Sequence, residues 1–127
     1  MEKKIVNTPS APAPIGPYNQ SVKYGNMLFI SGQIALDPAT GNLVEGDIQA
    51  ETRQVMTNLQ AILKEAGMSF GNVIKTSIFL MDMGQFAQVN EVYGSYFDSS
   101  NAPARETVQV AGLPRGVRVE ISMIAGE

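Results

Sequence analysis

Apolar residues recur along the chain with two different periods, and the places where the period changes mark its elements. From Asp47 to Ala66, the positions Ile48, Val55, Met56, Leu59, Ile62 and Leu63 keep the spacing of one helix face, and Gly67 stands where a C-terminal cap belongs. Phe86, Val89, Tyr93 and Phe97 mark a second, shorter helix. Elsewhere the period is two. "SVKYGNMLFIS" reads as a hairpin, with Val22 and Tyr24 ahead of a Gly25-Asn26 turn. "NVIKTSIFLMD" is β-branched and apolar on both faces, which predicts a central strand. "RETVQV" and "VRVEISMIA" close the chain as two strands around the turn "GLPRG". "NTPSAPAPIGPY" is irregular, because each proline fixes φ and removes a donor. The expected order is ββ-α-β-α-ββ: an α+β fold in one domain, residues 1–127, with a single sheet and two helices on one face.

This order leaves one sheet face bare. Val73, Ile78, Phe79 and Leu80 put apolar groups on both faces, and two helices cover only one. A second subunit is the economical cover, so an oligomer with ligand pockets between subunits is expected.

Several polar residues interrupt the pattern. Arg105 and Thr107 lie two apart on a strand and point to the same face. In "VRVEISM", Glu120 falls on the face opposite the row Val117, Val119, Ile121 and Met123. If the last two strands pair through "GLPRG", Arg105 and Glu120 approach each other at one end of the sheet. A surface ion pair, or one between Glu120 and Arg118, is the plainer alternative, worth about 0–1 kcal/mol. Asn90 sits on the apolar stripe of the second helix, where a buried amide needs partners, either a backbone group or a ligand. Tyr18 follows the rigid Gly16-Pro17 step, as an ordinary half-buried tyrosine or as a phenol held in a site.

Composition narrows the chemistry. The 127 residues carry nine cationic and twelve anionic side chains, a net charge of −3, which opposes a phosphate-binding surface and so nucleic acid as a partner. With no histidine and no cysteine, a Ser-His-Asp triad, a thiolate nucleophile and the usual zinc sites are excluded. No stretch approaches the ~18 apolar residues of a membrane span, and the amino terminus lacks a signal-peptide core, so a cytoplasmic protein is expected.

The ordered motifs "IGPYNQ", "LFISGQIALDPATG", "QAETRQVMTNLQAIL", "VIKTSIFLMDMGQFAQVNEVY", "PARETVQV" and "LPRGVRVEISMIA" resemble the Rid (YjgF-like) family, specifically its RidA branch, over nearly the whole chain. The resemblance implies a chorismate-mutase-like fold, a homotrimeric barrel with clefts between subunits, and hydrolysis of reactive enamines and imines. Substrates such as 2-aminoacrylate, 2-iminopropanoate and 2-iminobutanoate would give 2-oxo acids and ammonia, with neither cofactor nor metal. It also implies residue roles. Arg105 binds the substrate carboxylate, and Glu120 positions or activates water. Ser31 and Gly32 line the cleft, Tyr18 and Asn90 occupy further cleft positions, and Thr107 stands where the family usually has cysteine. Glu106 is also unusual in that neighbourhood. The alternative is a non-catalytic regulatory trimer binding small carboxylates. A ribonuclease reading, attached to some relatives, runs against the acidic balance and the absence of histidine.

Overall fold

The computed structural model describes residues 2–127 of the chain. Strands β1 (Lys3–Val6), β2 (Ser21–Tyr24), β3 (Met27–Gln33), β4 (Val73–Leu80), β5 (Ala104–Gln109) and β6 (Val119–Gly126) form one sheet in the order β1-β2-β3-β6-β4-β5. Among the described residues, only β4 and β5 run parallel; every other pairing is antiparallel. Helices α1 (Ile48–Glu65) and α2 (Phe86–Gly94) pack on the same face of this sheet. The fold is thus mixed α+β, as the periodicities predict. Among the described residues, no helix is long and apolar enough to cross a membrane.

Helix α1 begins where its sequence supplies a cap: the Asp47 carboxylate accepts from the Ala50 N–H at 2.8 Å. It ends at Gly67, whose φ of 75° suits a residue without a Cβ. Its apolar stripe, including Val55, Leu59, Ile62 and Leu63, is fully buried against Leu28, Ile78, Leu80, Val119 and Ile121 of the sheet. Each such side chain contributes about 1.5–3 kcal/mol by leaving water. The charge that ties α1 to the sheet is Glu51, 6% exposed. Its carboxylate accepts from the Arg118 Nε at 2.7 Å and the Arg118 N–H at 2.8 Å, and from the Val119 N–H at 3.2 Å, fixing the start of β6. Arg118 therefore pairs with Glu51 and not with Glu120.

Two elements depart from the sequence expectation. The stretch "KKIV" forms β1, which pairs with β2 as a lysine-bearing edge strand too short to show alternation. The last two strands do not pair with each other. Strand β4 lies between them, parallel to β5 and antiparallel to β6, and the connecting segment wraps its end. There the Val110 N–H donates to the Leu80 carbonyl at 2.9 Å and the Met81 N–H to the Arg118 carbonyl at 3.1 Å. Strand β4 is thereby interior to the sheet, its backbone paired on both edges.

Among the described residues, nothing covers the face away from the helices. Phe29, 46% exposed, sits opposite Ile124, and Val108, 42% exposed, sits opposite Phe79. Among these apolar groups runs a polar network: the Ser77 hydroxyl and the Lys75 ammonium both contact the Glu106 carboxylate, the latter at 2.9 Å. The Ser77 hydroxyl and then Lys75 hold that carboxyl below its ordinary pKa. Glu106 thus serves this face, while its neighbour Arg105 turns to the other.

Candidate functional site

Polar residues singled out by the sequence gather in two places. On the uncovered face, Glu120 alternates with the buried row Val119, Ile121 and Met123. Its carboxylate folds over Gly32, on the neighbouring strand β3. A Cβ built on Gly32 would lie 2.6 Å from Glu120 Oε2, so glycine alone lets the carboxylate occupy this position. Burial raises the Glu120 pKa, and no cation counters it. Beside it opens a cavity of about 540 Å³, whose lining includes Tyr18, Ser31, Gly32 and Glu120.

The proline-rich segment reaches this cavity because Gln20 holds it. Only 2% exposed, the Gln20 amide accepts from the Thr8 N–H at 2.7 Å and donates to the Thr8, Ala11 and Pro12 carbonyls at 3.0, 3.2 and 2.8 Å. Those bonds replace partners that a proline-rich backbone cannot find within itself. Ser31 fixes the same segment from the sheet side, donating its hydroxyl to the Asn19 carbonyl at 2.6 Å and its N–H to the Gln20 carbonyl at 2.9 Å. Tyr18, 50% exposed, is thereby set at the cavity wall.

The second cluster lies on the helix face. Arg105 is paired in register with Thr76, and Thr107 with Ile78, so both point toward the helices as their two-residue spacing predicts. The guanidinium stands 5.6 Å from the centroid of the Phe86 ring and 5.1 Å from that of Tyr93, and its Nη1 donates to Asn90 Oδ1 at 2.6 Å. The Tyr93 hydroxyl donates to Thr76 Oγ1 at 3.0 Å. Burial pushes the Tyr93 phenol up, against the downward pull of Thr76 and of Arg105. Arg105 and Asn90 line a cavity of about 440 Å³ between α2 and the approach to β5. Asn90 is therefore an exposed partner of Arg105 and not a buried amide bonded to backbone.

Within one chain the structure does not bring Arg105 to Glu120. They occupy opposite faces of the sheet and different cavities: Arg105 is in register with Thr76 on the helix face, Glu120 with Phe79 on the other. Thr107 lines neither cavity; its Oγ1 is buried without a hydrogen-bond partner among the described residues. The aromatic bracket of Arg105 escapes sequence reasoning, although Phe86 and Tyr93 lie seven apart on one helix stripe, a spacing that also serves ordinary packing. A larger open groove of about 800 Å³ between Thr8, Ser10 and the end of α1 holds none of the predicted site residues.

These features define a mixed α+β chain on one six-stranded sheet, with a desolvated carboxylate on one face and an oriented guanidinium on the other. The family model described as endoribonuclease L-PSP matches residues 8–127. The chain belongs to that family, the YjgF/Rid family. It is 51% identical over 123 residues to a mouse protein named 2-iminobutanoate/2-iminopropanoate deaminase, covering 97% of this chain and 90% of that one. To a RutC family protein of Synechocystis it is 52% identical over 126 residues, covering 98% and 97%. The crystal structure of E. coli TdcF with bound serine superposes with a TM-score of 0.91 at 45% identity, covering 98% of each chain.

Proposed function

We propose that this chain hydrolyses small 2-imino acids and their enamine tautomers to 2-oxo acids and ammonia, in a site completed between the subunits of a homotrimer. The observation that carries this reading is the Glu120 carboxylate, desolvated over Gly32 at an apolar cavity. Burial raises its pKa above that of a solvated glutamate, which makes it a better proton acceptor. The mouse relative's name and the serine bound by TdcF support a small carboxylate as the ligand.

The uncovered sheet face supports the assembly. Packing the Glu120 face of one subunit against the Arg105 edge of the next would unite the two clusters. Arg105, already turned by Asn90 and its aromatic bracket, then takes the substrate carboxylate through its fork of donors. The enamine takes a proton at carbon and releases one from nitrogen, becoming the imine. Glu120 accepts a proton from water as the oxygen bonds to the C=N carbon. Glu120 returns that proton to the nitrogen, and the carbinolamine then loses its nitrogen as ammonia, which takes up the hydroxyl proton, while the C=O bond forms. The imine carbon is electrophilic without a covalent intermediate, so the buried Thr107 hydroxyl needs no role as a nucleophile.

The test is ammonia release by the purified protein from 2-aminoacrylate generated in situ by a serine dehydratase. Release should be accelerated, insensitive to thiol reagents and chelators, and retained within about tenfold, or ~1.4 kcal/mol, in Thr107→Ala and Thr107→Cys. An inactive protein awakened by Thr107→Cys would overturn the mechanism and favour a regulatory carboxylate binder.

A further inference from the structure

Among the described residues, Arg115 alone combines a side chain with a positive φ, 57° with ψ 20°. This conformation is sterically disfavoured for so long a side chain, and such outliers persist where the surroundings impose them. Pro114 precedes it and Gly116, at φ 69°, continues the turn. The turn sets Arg115 on the wall of the 540 Å³ cavity that also holds Glu120.

Arg115 and Glu120 are the two charged residues of that lining among the described residues. They do not neutralise each other: burial alone accounts for the raised Glu120 pKa. Arg115 also has no ion pair or side-chain hydrogen bond within the described residues, since the ion pairs belong to Lys23, Lys75 and Arg118. An exposed cation with no partner among the described residues is therefore left facing a cavity. Its wall also carries Pro12, Ala13, Ile15, Ile34 and Leu36, groups that suit methylenes.

We propose that Arg115 makes the Glu120 cavity selective for 2-imino dicarboxylates, its guanidinium taking the distal carboxylate while the apolar wall holds the methylene spacer. This deepens the deaminase reading and rests on it. Arg105 takes the carboxylate next to the imine, which leaves Arg115 for the one at the far end. An arginine fork matches that group bidentately, whereas apolar walls without a cation would penalise a charged chain end.

The experiment compares two imines of different length and charge. 2-Iminoglutarate and 2-iminobutanoate are generated in situ from glutamate and from 2-aminobutanoate by amino acid oxidases. For wild type and Arg115→Gln, the ratio of kcat/KM for the first over the second is measured. In parallel, calorimetry gives the affinities for the products, 2-oxoglutarate and 2-oxobutanoate. The ratio and the matching affinity ratio are each expected to fall at least tenfold in Arg115→Gln, and to fall as far in Arg115→Gly, which also relieves the left-handed backbone. A smaller fall in the affinity ratio for either variant overturns the proposal, with circular dichroism confirming that each is folded. Failure of the deaminase reading looks different. The wild type would then hydrolyse neither imine, while the Arg115-dependent preference for 2-oxoglutarate would persist in calorimetry.

Discussion

Arg105→Ala is expected to lower kcat/KM for 2-aminoacrylate by at least ~10–100-fold, the effect of losing a charge-assisted contact of about 1.5–3 kcal/mol. The side chain is exposed and makes no ion pair among the described residues, so its removal leaves the core intact. The Phe86 and Tyr93 rings and the Asn90 carbonyl oxygen fix its direction before any ligand arrives. That orientation lowers the entropic cost of binding. Arg105→Lys keeps the charge but loses both the fork and the stacking, and should be impaired as well. Steady-state kinetics on folded protein, checked by circular dichroism, reads the effect. Full activity in Arg105→Ala would remove the carboxylate-anchoring role.

Glu120→Gln should lower kcat by ~10²–10⁴-fold, the range attributed to a positioned acid or base. Glutamine keeps the shape over Gly32 but cannot accept the proton of water. Affinity for a 2-oxo acid, which needs no proton transfer, should change far less than turnover. The pH profile gives an independent check. Burial raises the Glu120 pKa, so its basic form is lost as pH falls through that raised value. The acid limb of the kcat/KM profile should therefore lie at higher pH than for a freely solvated glutamate, and should disappear in Glu120→Gln. A variant with normal turnover and weakened binding would make Glu120 a binding residue only.

Much of this geometry is legible where the pattern is local. Strict alternation in "VRVEISM" places Glu120 away from the core row, and the two-residue step places Thr107 on the face of Arg105. The α1 boundaries are legible because Asp47 and Gly67 are chemical stop signs as well as pattern breaks. What escapes is non-local. The Glu51–Arg118 pair spans 67 positions, and nothing in either neighbourhood names the other. The link "GLPRG" resembles a hairpin turn, yet β6 pairs with β3 and β4, the strands that share its buried apolar row. Alternation along the strands puts Arg105, in register with Thr76, on the helix face and Glu120, in register with Phe79, on the other. Within one chain the two do not meet, and pockets between subunits are already the expectation from the sequence.

The most direct test of a site shared between subunits is complementation. Arg105→Ala and Glu120→Gln chains, each nearly inactive alone, are unfolded together and co-refolded in equal amounts. In a cyclic assembly, random mixing leaves about a quarter of the interfaces with both groups intact. Imine-dependent ammonia release should therefore recover to roughly that fraction of wild type. Activity no greater than that of the two variants refolded separately would contradict the account, and would return Arg105 and Glu120 to separate sites on one chain.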